Sequence, residues 1–552
     1  MSSQDLRHRD DPTRASRPGA RVGRGPYAPR DPASASVSAA ASLAAAALLV
    51  LAFPGPAAAQ NVTARTIDAQ IPRSGELWIE VAPTFQGWDE RFGGDGSRHP
   101  LASDYSGPLA SLLYPGPEAA AQDLNADAAA LGYDPVPPGQ TSLGAVDMSE
   151  LNREIRAVPL RIEFGFLGRF SVEASVPAVW TKAEPFLAFD SAGATVAAGS
   201  SLPDRVSFFS ELDVAMQGLQ DRIDAGDLSA SQEAQARALL DASSAFLDAL
   251  RRRALTDDLI PLAATPAGQQ MLAYWAGLQG GFGDFGVSAP SLSLPGTATS
   301  QDLAGYFGGA FLQGQPLTAT VRSWTAGELE AGLRIGLLDG FADDSARSGF
   351  RLRTTIGVLG RFPVRSSDAL LFYVAGDFLG VPVGDGQRDV ELTLYQDFRL
   401  GGWLELDARG SYGLQMSDRM EVRPHPPSRP FPVPSVTQEV VRDPGDYVRV
   451  RVAPRLSLAE HTYVGLEYRY WHKWADAYAT PGGGTDPTVS TLISGTGQTW
   501  HRLGVGVTYR PGGPDSQGEV GFIYQTVIAG RGRLTPASGL TTFHIRIPAR
   551  VF

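Results

Sequence analysis

Val448-Arg449-Val450-Arg451-Val452 alternates apolar and charged residues without a break. Leu160-Arg161-Ile162-Glu163-Phe164-Gly165-Phe166 does the same, and so does Arg502-Leu503-Gly504-Val505-Gly506-Val507-Thr508-Tyr509. A period of two places successive side chains on opposite faces of a strand, so each stretch has one apolar face and one polar or small face. In a soluble sandwich the polar face would meet water. In a transmembrane barrel it lines the lumen, and the apolar face meets lipid.

Working outward from these stretches, the pattern predicts about twelve strands, near 76–87, 157–167, 169–180, 326–338, 349–361, 388–399, 403–414, 446–458, 461–473, 499–510, 518–529 and 540–552. Leu370 to Gly380 is a thirteenth apolar stretch. It lacks clean alternation and lies between Pro363 and Pro382, and bacterial single-chain barrels use even strand numbers, so it reads as loop. The connections alternate. Those at 166–169, 339–348, 399–402, 458–461 and 511–517 are short; those at 88–156, 181–325, 362–387, 415–445, 474–498 and 530–539 are long. Short periplasmic turns and long external loops are the grammar of outer-membrane barrels, and a soluble sandwich has no reason for it. Trp88, Trp180, Trp324, Trp471, Trp474 and Trp500 fall at the long-loop end, where an interfacial aromatic girdle is expected; Trp78 and Trp403 fall at the other. The fold class is therefore all-β, an antiparallel up-and-down barrel in the cell outer membrane.

The rest of the chain agrees. Mean hydropathy is -0.10, and no apolar run of about 20 residues exists outside the leader, which excludes a helical membrane protein. The first 59 residues read as a signal peptide. Seven arginines precede the apolar run Ala39–Phe53, and Ala57 and Ala59 suit a cleavage site before Gln60. Residues 60–75 are then a short N-terminal segment and 76–552 the barrel. Removing the leader's seven Arg and four Asp leaves 40 basic and 55 acidic residues, a net charge near -15 and a poor match for nucleic acid. With no cysteine, the chain has neither disulfides nor thiolate chemistry.

Loop 181–325 is far longer than a connection needs to be, and such loops are usually functional. Ser229 to Glu233 resembles a helix start and Arg251-Arg252-Arg253 a helix end, around a stripe of Leu239, Leu240, Phe246, Leu247 and Leu250. Gly226 and Asp227 separate this helix from an earlier one carrying Leu212 and Leu219. The loop either plugs or caps the lumen, with the mouth as the nearest surface for the stripe, or stands outside as a solvated hairpin. Segment 421–436, with six prolines, reads as a stiff extended loop.

By parity, the inward positions are densely charged: Glu80, Arg161, Glu163, Glu173, Glu328, Glu330, Arg334, Arg351, Arg353, Asp389, Glu391, Glu405, Asp407, Arg409, Arg449, Arg451, Glu467, Arg469, Arg502 and Arg546. The lumen candidates are Glu328, Glu330, Arg334, Arg351, Arg353, Glu391, Glu405, Asp407, Arg409, Arg449, Arg451, Glu467 and Arg469. Acidic and basic strands adjoin, so cross-strand ion pairs are expected, with Arg451 roughly opposite Glu467. The seven histidines show no metal-ligand spacing, and no serine motif accompanies His544, so neither a metal, a cofactor nor a catalytic set is read from the chain.

Leu160 to Gly165 through Val176-Pro177, Gly327 to Arg334, Gly384 to Glu391 and His501 to Tyr509 resemble the outer-membrane barrels grouped with the meta-pathway of phenol degradation, related in style to FadL-type hydrophobic-compound channels. The resemblance is patchy over about 157–552, and it implies a passive channel for small organic molecules, hydrophobic or aromatic compounds among them. The chain departs from FadL-type proteins in two ways: only some fifteen residues separate the leader from the first strand, too few for an N-terminal hatch, and loop 181–325 is outsized. No binding residue is carried over. Expected partners are membrane lipid, the barrel-assembly machinery and a small-molecule substrate. The alternative reading is a non-transporting surface protein acting through its long loops, and behind it a membrane-embedded hydrolase.

Overall fold

The computed structural model describes residues 68–306, 320–341, 349–363, 381, 386–422, 425–426, 428–432, 438–482, 487–493, 495–513 and 516–551. The expected signal peptide and the demoted stretch 370–380 lie outside the described residues.

Twelve strands close into one antiparallel barrel. They are β1 (Glu76–Val81, resuming as Thr84–Trp88), β2 (Ala145–Phe166), β3 (Phe170–Asp190), β4 (Val321–Ala326, resuming as Leu329–Asp339), β5 (Phe350–Phe362), β6 (Asp389–Leu400), β7 (Leu404–Gln415), β8 (Tyr447–Ala459), β9 (Thr462–Lys473), β10 (Gln498–Tyr509), β11 (Glu519–Arg531) and β12 (Gly539–Arg550). Each pairs with its sequence neighbours, and β1 pairs with β12 from Glu76 opposite Arg550 to Val81 opposite Ile545, which closes the wall. Closure leaves no free edge, the condition for spanning a bilayer with strands.

The alternation read from the sequence becomes a sharp division of faces. Leu392, Leu394, Val505, Val507, Phe522, Phe543, Ile545 and Ile547 point outward and stay exposed, while Glu163, Glu391, Asp407, Glu467 and Arg546 point inward and are buried. An apolar belt of this extent would be a liability in water. With short turns at one end and long loops at the other, it marks a barrel of the outer membrane. Glycine makes room inside the wall: a Cβ at Gly413 would collide with the Tyr447 ring, and one at Gly521 with His544.

Two strands are longer than the sequence predicted. β2 has 22 residues and β3 has 21, and their paired outer ends continue beyond the other strands. There the inner face turns apolar, with Val146, Met148, Leu151 and Leu187, because it packs on protein rather than lining the lumen. The expected charged-lumen pattern therefore stops before the strands do.

The extension carries a folded external cap built from both of the first two long loops. Its longer helices are α1 (Pro117–Asn125), α2 (Arg205–Asp224), α3 (Ala230–Thr256) and α4 (Pro266–Asp284). Ser229 caps α3 in a capping box with Gln232, which satisfies amide groups that the first turn leaves free. Thr265 caps α4 ahead of Pro266, a helix missed in the sequence. The stripe on α3 does not settle on the barrel mouth. Phe246 stacks on Trp275 of α4 at 5.0 Å, and Leu247 and Leu250 are buried beside Leu212 and Leu219 of α2. Arg253, in the last turn of α3 as the sequence suggested, is fully buried and holds Asp127 at 3.1 Å. Phe431 of the proline-rich segment is buried in the same core and pairs with Leu113.

Candidate functional site: the charged lumen

At the short-turn end, the segment just before β1 runs inside the barrel. The Ala69 amide donates to Asp397 at 2.8 Å, Thr355 donates to the Ala69 carbonyl at 2.5 Å, and Arg334 donates to the Asp68 carbonyl at 2.7 Å. Arg546 pairs with the Asp68 carboxylate at 2.8 Å. A few residues suffice for this bracing, because an extended chain covers more than 3 Å per residue.

Around this segment the lumen is cross-braced. Arg161 contacts Glu80, Glu163 and Glu173 at 2.6–3.0 Å, and Arg334 reaches Glu163 at 3.0 Å. Glu405 takes Arg399 at 2.8 Å and Arg510 at 2.7 Å; Asp407 takes Arg455. Arg353 lies between Asp339 at 3.0 Å and Asp397 at 3.6 Å, and Arg351 is buried opposite Arg399. His544 meets Glu519 at 2.7 Å inside the lumen.

Toward the loops the hub is Arg361. It bonds Glu330 at 2.8 Å, Asp389 at 3.0 Å and Glu391 at 2.9 Å, with the Tyr447 hydroxyl beside them. Glu391 also receives Arg409 at 2.6 Å and Arg449 at 3.4 Å. Glu467 receives Arg451 at 2.7 Å and Arg469. The residue opposite Arg451 is Arg469, not Glu467 as the sequence suggested; Glu467 reaches Arg451 diagonally. Glu328 sits off the strands, at the break within β4, where its carboxylate accepts the Gly386 amide at 3.3 Å. The other twelve lumen candidates lie on the inner face. Arg361, Tyr395 and Tyr447 were missed, although the parity of Arg351 and Arg353 extends to Arg361.

The tryptophans divide. Trp324 is 67% exposed on the outer face, whereas Trp471 and Trp500 share the parity of Arg469 and Arg502 and so face the lumen. Their rings stack at 5.9 Å with planes 27° apart. The girdle expected from sequence is thus partly a lumenal aromatic pair, because strand-end position alone does not fix the face. On the opposite wall the outer mouth is apolar: Ile155, Ala157, Val179 and Ala183 are buried with Val381, which the connection after β5 brings to them. Between the two ends lies a cavity of about 60 Å³, bordered by Asp407, Arg451, Arg455, Glu467, Arg469 and His544 among others.

No family model matches the chain. No curated protein matches it either. Solved structures similar to it include an outer membrane channel from Pseudomonas putida F1, at 7% identity and TM-score 0.39, covering 89% of this chain and 100% of that one. A FadL homologue from Pseudomonas aeruginosa is similar at 8% identity and TM-score 0.27 over 91% of this chain and 100% of that one. The toluene transporter TbuX from Ralstonia pickettii is similar at 8% identity and TM-score 0.26 over 86% and 90%. Function has to be read from the geometry of the lumen itself.

Proposed function

We propose that this barrel is a passive channel for small organic molecules across the outer membrane, entered past the apolar patch at the mouth. The observation that carries the reading is the cavity of about 60 Å³ left unfilled between the charged layers of the lumen. A barrel serving only as an anchor has no need of an internal cavity between an apolar mouth and a braced floor. The leader would deliver the chain to the barrel-assembly machinery, and the role is not that of a hydrolase. The inward charges set which solutes pass, as side chains lining a pore do.

The test is swelling of liposomes containing the full-length folded protein, with single-channel recording alongside. Small solutes should enter faster than into empty vesicles. Asp397→Ala, which removes the acceptor of the Ala69 amide, should raise the rate. A folded barrel with no swelling and no conductance in either form overturns the reading. That result would favour the surface protein, for which the folded cap is the specific support.

A further inference from the structure

Four arginines face one another directly across four adjacent strands. Arg409 is opposite Arg451, Arg451 is opposite Arg469, and Arg469 is opposite Arg502. Like charges in directly opposed positions repel, so such a row needs anions around it. The protein supplies too few. Glu467 serves both Arg451 and Arg469, and Glu391 is shared among Arg361, Arg409 and Arg449.

Arg502 is left over. Its side chain is buried at 8% exposure, its Nε meets no acceptor, and among the described residues no carboxylate lies within ion-pair distance. A buried guanidinium without an anion is costly, because desolvation is not offset. Arg502 lies in the wall of a lumen, where the missing anion can come from solution. The neighbouring space borders Arg451 and Arg469 of the same row.

The residues beside Arg502 narrow the chemistry. Its guanidinium lies 4.9 Å from the Trp500 ring, and Trp500 stacks on Trp471. Arg449 is opposite Trp471, one step further toward the loops. A cation in fork geometry suits a carboxylate, and the indoles suit a flat ring in stacked or edge contact. We propose that the Arg502–Trp500–Trp471 corner of this arginine row binds small aromatic carboxylates within the lumen. The inference deepens the channel reading and rests on it for transport, while binding can be measured by itself.

The experiment uses the full-length protein folded in detergent, with benzoate as probe and acetate and benzyl alcohol as the anion without a ring and the ring without a charge. Calorimetry and tryptophan fluorescence read binding. Benzoate should bind at least tenfold more tightly than either control and quench tryptophan emission. Arg502→Gln should weaken benzoate at least tenfold, and Arg502→Lys should restore part of it. Trp500→Leu should weaken benzoate severalfold and remove most of the quench, with acetate unchanged. Gel mobility before and after heating confirms that each variant is folded; if Arg502→Gln does not fold, Arg502→Lys and Trp500→Leu decide. Benzoate binding no tighter than benzyl alcohol, or unchanged by the Arg502 and Trp500 variants, overturns the proposal. In planar bilayers, conductance without anion preference would sink this inference and spare the channel. Benzoate binding without conductance would do the reverse.

Discussion

The barrel and its cap solve opposite solvent problems with the same residues. In the cap, Phe246, Leu250, Met271 and Trp275 are buried and charges such as Glu233 and Arg237 stay outside. In the barrel, Leu392, Leu394 and Val505 are outside while Arg334, Arg361 and Glu391 are buried. Both follow from a single rule, that apolar surface avoids water and buried charge must be paired. The difference teaches that a hydrophobic pattern fixes which residues share a face, and only the surroundings decide which face is inside. The barrel has charge where the cap has its core, so the two should fail in different ways.

The largest failure should come from the lumenal hub. Arg361→Met removes the cation shared by Glu330, Asp389 and Glu391. Breaking a buried ion network from one side costs about 3–5 kcal/mol, since the remaining charges lose their compensation. Urea unfolding in detergent, followed by loss of heat-modifiable mobility, should show a loss of that order. Protease protection of the cap should not change, because its core lies elsewhere. A loss below about 1 kcal/mol would mean that water, not Arg361, solvates those carboxylates.

The contrast also explains what could be read in advance. Strands such as Tyr447–Ala459 and Gln498–Tyr509 were legible because lipid on one side and lumen on the other enforce period two along their length. The outer ends of β2 and β3 were not, because the polarity of the faces inverts there: the inner face packs on the cap and turns apolar, while Asp147, Glu150 and Asn152 of the outer face are polar and exposed. Helix α3 declared itself through Ser229 and its apolar stripe, but the surface receiving that stripe comes from residues 117–131, 205–224 and 266–284, and a pattern within one segment does not name its partner. In the lumen, inward parity was readable and pairing was not. A slip of two residues keeps the face and changes the partner, which is how Arg451 came to face Arg469. The lumenal strap at Asp68 and Ala69 gave no signal, since most of its holds use backbone groups that every sequence has, and one aspartate does not name Arg546 as its partner.

A substitution of middle size tests the face assignment directly. Leu394 at mid-strand in β6 is 48% exposed and Val214 on α2 is 72% exposed. In water the two would tolerate charge alike. Leu394→Arg should cost roughly 2–4 kcal/mol and impair assembly, because it places a charge in hydrocarbon. Val214→Arg should stay within about 0.5 kcal/mol, as surface changes usually do. Refolding yield into lipid vesicles and urea midpoints separate them. Equal tolerance would mean that the apolar belt is not in lipid.

The smallest effect concerns pH and belongs to the cap alone. Asp123, at the end of α1, accepts the Leu259 amide at 2.9 Å and lies 3.8 Å from Arg253. Burial outweighs both and pushes its carboxyl up to about 6, from an ordinary 3.8. The folded cap therefore holds a proton that the unfolded chain has already released between about pH 4 and pH 6. Stability from this group is full below that window and falls as pH rises through it, by at most about 1.4 kcal/mol per pH unit. Above about pH 6 both states are ionised, and the contribution levels off. Asparagine keeps an oxygen for the Leu259 amide and has no proton to lose, so Asp123→Asn should flatten the slope. Hydrogen exchange of the 117–131 amides, corrected for the intrinsic pH dependence, measures the local stability. A cap that becomes firmer from pH 4 to pH 6, or the same slope in Asp123→Asn, would show that Arg253 holds this carboxylate ionised throughout.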